Sequence, residues 1–287
     1  MKEKRIRCMR QLKIELGKAL KNRMFLITLG IGTGLALLAA LYQISYYNQT
    51  QAQESSAVIN PMIEANTLYN HWMGGEMQSF GAICFFYVLP LLAAIPYGWS
   101  YFVEKRSGYT KYLMIKGGKR EYFICKYVAV FCSGGLVILL PLILNFILVA
   151  MFVPAILPEA HYTMYYGVDY GTMWSVLFYK WPLLYDILYM LLDFVFAGLF
   201  ACMSLSCAVF LKNRIAITIV PYFVIMVLHY SRTFCYYKFF REISPLNFLA
   251  AGSVENVTAW WIVLLEGVVF FLVPAILLYI ADKREVL

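Results

Sequence analysis

An all-α integral membrane protein is the fold class this sequence predicts, and three observations predict it. Sixty-two per cent of the 287 residues are hydrophobic and only 14% are charged, against roughly 25% charged in a typical soluble domain. The mean hydropathy is +0.69. The apolar residues gather into runs of about 20, the length a helix needs to cross a hydrocarbon core of about 30 Å. No repeat or low-complexity tract divides the chain, so a single transmembrane domain over residues 1–287 is expected.

Six segments meet the length criterion, at about 24–47, 80–103, 127–152, 183–211, 215–234 and 259–281. The first follows a long basic segment and lacks a small-residue cleavage pattern, so it reads as a retained span. The third is overlong, with Pro141 and Pro154 marking bends. The fifth is the weakest and contains Pro221. Ahead of the spans, residues 1–23 form an amphipathic interfacial helix. Met9, Leu12, Leu16, Ala19, Leu20 and Arg23 recur at three- and four-residue spacing, while Lys13, Lys18 and Lys21 lie largely on other faces. Residues 235–258, containing ISPLNFLAAG, are too short to span and too apolar for a free loop. A segment dipping back under the cover of protein is expected there.

Charge sets the orientation. The N-terminal segment carries nine Lys/Arg, residues 104–126 seven, the Lys212/Arg214 turn two and the tail two. The opposite side holds only Lys180, Arg232, Lys238 and Arg241. Basic residues collect on the cytoplasmic side of a membrane protein, so both termini are expected there. The net charge of +8 is therefore a topology signal, and no nucleic-acid partner is expected.

Catalytic and metal chemistry find little support. The seven cysteines show no CxxC or Cys/His spacing, and most lie in or beside apolar spans, where cysteine behaves as a small hydrophobe. His71, His161 and His229 are scattered, and no HExxH, GxSxG or phosphate loop of the form GxxxxGK[ST] occurs. No catalytic residue, metal site or cofactor of this chain's own is expected.

The segment Glu104–Lys126, EKRSGYTKYLMIKGGKREYFICK, is too polar for lipid yet has a helical apolar pattern at Tyr109, Tyr112, Leu113 and Ile115. Gly108 permits a sharp turn, about two helical turns fit Tyr109–Lys116, and Gly117-Gly118 stop them. A helix this short is marginal alone, so it is expected to pack against a partner.

The order amphipathic helix, span, outer loop, span, E-x-R-x-G, short helix, basic turn, span resembles the ABC-2 class of ABC transporter permeases, over essentially the whole chain. Glu104, Arg106 and Gly108 match that family's loop motif. Lys119-Arg120-Glu121 and Lys126 match its basic stretch before the third span, and Glu15-Leu16, Lys18, Leu20, Asn22 and Phe25 match its pre-span pattern. The chain departs at Lys116-Gly117-Gly118, where many members carry a Thr-Pro turn. The resemblance implies a type V exporter-like fold and a multi-pass protein of a bacterial plasma membrane. It implies a permease pair, identical or homologous, over two copies of a separate ATPase subunit that holds ATP and Mg. A coupling helix would contact that ATPase through Glu104, Lys105, Arg106, Ser107, Gly108, Tyr109, Lys111, Tyr112 and Ile115. By the same likeness, the substrate is amphiphilic or peptide-like, and export would confer resistance to antimicrobial peptides.

Two intramembrane carboxylates are expected to mark a substrate pathway. Asp193 lies about 15 Å into the fourth span at the usual helical rise, and Glu266 lies at a similar depth in the sixth. Such residues rarely face lipid. Asp186, seven residues before Asp193, shares its helix face, and Gly198, Ala201 and Ser204 offer a small-residue stripe for close helix contact. A secondary transporter and a membrane-embedded accessory or signalling subunit are the alternatives from other classes.

Overall fold

A computed structural model describes residues 2–52, 64–110, 118–169, 171–239, 241–252 and 257–284. Among these residues all regular structure is helical. The long helices are α1 (Lys2–Leu20), α2 (Arg23–Ala52), α4 (Phe80–Ala94), α6 (Lys119–Ala150), α9 (Pro182–Phe210), α10 (Arg214–Phe239) and α12 (Trp260–Arg284). Short helices α3 (Leu68–His71), α5 (Ser100–Arg106), α7 (Thr163–Tyr166), α8 (Ser175–Lys180) and α11 (Pro245–Phe248) lie between them.

Among the described residues five helical stretches are long and apolar enough to cross a membrane: Arg23–Ala52, Arg120–Ala150, Pro182–Phe210, Arg214–Arg232 and Trp260–Ile280. The expected second span is not one continuous helix. It stops at Ala94, after 15 residues, and resumes as α5 at Ser100. Pro96 withholds an amide from the helical ladder, and Gly98 packs so closely on α9 that an added Cβ would meet Ser204 Oγ at 2.4 Å. The expected third span differs in the other direction. Helix α6 starts at Lys119, absorbs the basic stretch before residue 127, and runs through Pro141 to Ala150.

Helix α9 is the centre of the bundle and packs against α6, α12, α10 and α4. Between apolar helices in lipid there is no hydrophobic gain from contact, so close packing has to supply the attraction. The α6–α9 seam is built for it. A Cβ on Gly134 would lie 2.4 Å from Ala201 Cβ and 3.1 Å from the Ala197 carbonyl oxygen. The small-residue stripe expected on α9 is at that seam or beside it: Gly198 backs onto Phe131, Ala201 onto Gly134 and Ser204 onto Gly98. Helices α2, α10 and α12 turn large apolar side chains outward, among them Leu41, Val227 and Leu264.

The chain ends of the helices sort into two poles. At one, Ala19, Tyr97, Tyr101, Tyr122, Ala208, Ile217 and Leu278 form one buried cluster, which joins α1, the α4–α5 turn, and the ends of α6, α9, α10 and α12. At the other, Asn145 of α6 donates to the Ala36 carbonyl at 2.9 Å and accepts from the Met73 amide at 2.7 Å. The Tyr185 hydroxyl donates to the Ala251 carbonyl at 2.6 Å. The segment expected to dip back is packed inside protein here: Leu246, Phe248, Leu249 and Ala250 are buried. Buried Glu242 holds it by accepting from the Ser244 amide and the Asn247 side chain, and it pairs with Arg232 at 3.4 Å.

His71, at this second pole, is buried, and its Nε2 lies 2.8 Å from Asn66 Oδ1. Burial pushes its pKa down to about 4. A depressed folded-state value means the unfolded chain binds the proton more readily. Stability is therefore full above the ordinary pKa of 6.5 and is lost as pH falls toward 4, by at most about 3 kcal/mol from this group. Melting curves across that window should show the fall in the native chain and a smaller one in His71→Gln.

Candidate functional site

The polar groups of the first pole converge on one buried ammonium. Lys126, two helical turns into α6, has a fully buried side chain. Lys126 Nζ donates to Glu15 Oε2 at 2.8 Å and to the Tyr97 hydroxyl at 3.1 Å, and it forms an ion pair with Glu104 Oε1 at 2.8 Å. The Tyr97 hydroxyl in turn donates to Glu15 Oε2 at 3.0 Å, and the Tyr122 hydroxyl donates to Glu104 Oε2 at 2.5 Å. Lys18 closes the cluster, 2.8 Å from Glu15 Oε1 and 3.5 Å from Glu104 Oε1. Two carboxylates thus face two ammonium groups.

Each partner arrives from a different element. Glu15 and Lys18 stand one turn apart on α1, Glu104 lies on α5, Tyr97 lies in the α4–α5 turn, and Tyr122 and Lys126 lie on α6. Asn22, between α1 and α2, accepts from the Met24 amide at 3.2 Å and donates to the Pro96 carbonyl at 2.9 Å. The Arg214 guanidinium of α10 stacks 3.4 Å from the Trp99 ring centroid, a cation–π contact. The α4–α5 turn is thereby tied to α1, α6, α9 and α10 at once.

Burial alone would raise the Glu15 carboxyl, but contact with Lys126 and Lys18 outweighs it and holds the group below the usual carboxylate range. Burial would lower the Lys18 ammonium; Glu15, and then Glu104, overcome that and raise it. Both groups are charged at neutral pH, so the cluster is ionic.

Helix α1 is docked on the bundle through one face. Its inner face is centred on Glu15 and Ala19, which are buried, while Met9 is 65% exposed and Arg23 is exposed. The helix lies against α6. Cys8 Sγ stands 3.8 Å from Cys125 Sγ across that contact. Mild oxidation with copper phenanthroline in detergent should link Cys8 to Cys125 ahead of any other pair, as peptide mass mapping would record. Links among other cysteines with this one missing would contradict the docking.

The residues expected to contact a partner divide into three groups. Glu104 turns inward, with its side chain 13% exposed. Lys105, Arg106, Ser107, Gly108 and Tyr109 are exposed directly beyond it. Gly108 has φ +73°, the left-handed turn for which glycine is suited, and Lys18 Nζ lies 4.7 Å from the Tyr109 ring centroid. Lys111, Tyr112 and Ile115 lie outside the described residues.

Asp193 is fully buried on α9, and neither carboxylate oxygen has a hydrogen-bond partner among the described residues. Asp186 is equally buried and lies beside the Trp72 indole. Glu266 of α12 is partly buried, with Oε2 unpartnered. An apolar groove of about 670 Å³ runs down the flank of α6, α9 and α12, lined by Phe123, Tyr127, Leu199, Gly267 and Phe271 and reached by Arg120. It passes beside Gly267 and Val195, but neither Asp193 nor Glu266 lines it. Among the described residues no group of three or more His, Cys, Asp or Glu is placed to hold a metal ion.

Sequence reasoning placed Glu15, Lys18, Glu104 and Lys126 on the page separately and missed that they meet. The available signal was Glu15 in register with Leu12, Leu16 and Ala19: a carboxylate on the apolar face of a helix requires a buried partner. No protein-family model, curated protein or solved structure matches the chain.

Proposed function

We propose that this chain is the membrane-spanning permease subunit of an ATP-driven exporter of the ABC-2 type, working with a separate ATPase subunit. The observation that carries the reading is the first pole. An exposed turn, Lys105–Tyr109, stands on a buried ionic cluster that reaches α1, α5 and α6. A push on that turn has a stiff route into the bundle, because moving Glu104 requires Lys126 and Glu15 to move or part. The order of motifs along the chain supports the same reading, as does the absence of a GxxxxGK[ST] loop from this sequence.

The segments that meet at this pole carry twenty of the 24 Lys and Arg residues. On the positive-inside rule it is the cytoplasmic pole, with both termini on that side. The sixth crossing is α4 continued through the 95–99 turn into α5. Two such permeases, identical or homologous, sit over two ATPase copies, which bind ATP and Mg. Asp193 and Glu266 line a substrate path completed between the two permeases, and the cargo is amphiphilic or peptide-like. The test is to tag the chain, solubilise it in detergent and identify what co-purifies. A P-loop ATPase in stoichiometric amount supports the reading; its absence under mild solubilisation counts against it.

A second reading is a proton-coupled secondary transporter, favoured by the unpartnered burial of Asp193. Proteoliposomes holding this chain alone separate the two. Transport driven by a pH gradient without ATP, and lost in Asp193→Asn, would favour the second.

A further inference from the structure

At the second pole, a pocket of about 430 Å³ opens between the end of α2, the chain around α3 and the α7 turn. That volume is in the range of small-molecule sites. Its wall is half polar, and its groups are of one kind. Gln43, 1% exposed, donates through Nε2 to Glu76 Oε2 at 3.3 Å. That bond fixes the amide orientation, because a carboxylate can only accept. It leaves the buried Gln43 Oε1 with no hydrogen-bond partner among the described residues.

Glu76 is also partly committed. Its Oε1 accepts from the Gln78 and Ser79 amides, closing the loop before α4. Its Oε2 has room for another donor, since a carboxylate oxygen accepts more than one hydrogen bond. The Tyr42 and Tyr46 rings stack alongside, centroids 6.3 Å apart, and Tyr46 reaches over His71 at 6.0 Å. His71 is bonded to Asn66 and is neutral at physiological pH. Among the described residues no Lys or Arg lines the pocket, and residues 64–79, which form much of it, contain Glu64 and Glu76 with no Lys or Arg.

The pocket thus presents a carboxylate, an unfilled carbonyl acceptor and aromatic faces, and no described residue supplies it with a cation. We propose that it binds an organic cation bearing N–H donors, an alkylammonium or guanidinium group. The charge pairs with Glu76, the N–H groups satisfy Glu76 Oε2 and Gln43 Oε1, and the hydrocarbon part lies against Tyr42 and Tyr46, whose faces attract cations. A metal ion is a poorer match, because the pocket offers a single carboxylate and a hydrogen-bonded histidine.

The site is independent of ATP coupling, so binding to the detergent-purified full chain tests it whichever transport reading holds. The probes are phenethylammonium, phenethylguanidinium and the neutral 2-phenylethanol, titrated by saturation-transfer NMR. Both cations should saturate, at least about tenfold more tightly than the alcohol. Glu76→Gln keeps an oxygen for the Gln78 and Ser79 amides and should abolish the preference for charge. Tyr42→Ala, at a ring already 43% exposed, should fold as the native chain does and weaken both cations several-fold. Equal affinity for the charged and neutral probes, no saturable binding of the cations, or an unchanged preference in Glu76→Gln would each overturn the proposal.

Discussion

Lys126→Ala should destabilise the protein by about 3–5 kcal/mol, the range for removing one partner of a buried ion pair. The substitution leaves Glu15 and Glu104 with only the partly exposed Lys18 as a cation and strips the Tyr97 hydroxyl of a donor. Thermal unfolding in detergent would record it, together with a Glu15 that now titrates upward. Lys126→Arg is not a safe replacement, since a planar guanidinium does not fit acceptors arranged around an ammonium. The informative companion is the triple variant Glu15→Gln, Glu104→Gln, Lys126→Met. Removing both carboxylates and the buried ammonium together removes the penalty, and Lys18, with its side chain 33% exposed, can turn to solvent, so most of the lost stability should return. If transmission runs through the cluster, the triple variant will fold and bind the ATPase yet fail to couple hydrolysis to transport.

Gly134→Val should be nearly as damaging. Its first added carbon would stand 2.4 Å from Ala201 Cβ and 3.0 Å from the Ala93 carbonyl, and neither a backbone carbonyl nor an alanine can rotate away. Overpacking of this kind costs about 1–3 kcal/mol and sometimes more. Here the shift would also part α6 from α9, the central seam of the bundle. Pairing it with Ala201→Gly, which empties the clashing position, should recover part of the loss. An unaffected melting temperature in Gly134→Val alone would mean that this seam is looser than described.

Much of the bundle was legible because a membrane span is written in composition and length. Five of six spans fall where apolar runs predicted them, and the α9 stripe of Gly198, Ala201 and Ser204 was visible as spacing. The second span was not, because Pro96 and Gly98 break it, whereas Pro90, Pro141, Pro221 and Pro274 lie inside continuous helices. Whether a proline breaks a helix depends on what packs beside it, here Ser204 against Gly98, and that is tertiary information.

The site was legible only in pieces. Glu104 was singled out by its motif as an ATPase contact and Lys126 by its place in the basic stretch before the third span, and nothing in the sequence joined the two. Charge patterning along a chain counts a lysine as solvent-facing unless a carboxylate is known to wait for it, and Glu15 is 111 residues away from Lys126. Beyond Glu104 the residues Lys105–Tyr109 are exposed, and Gly108 takes the left-handed conformation that its place before the short helix suggested.

The central claim is that the Lys105–Tyr109 turn is the contact through which a separate ATPase drives this chain. A photo-crosslinking residue placed at Ser107, and in a control at Met164, which is 93% exposed at the opposite pole, tests it in intact cells. The account predicts a covalent adduct from position 107 to a P-loop ATPase and none from position 164. A chain that yields no ATPase adduct from 107, or equal adducts from both positions, would contradict it.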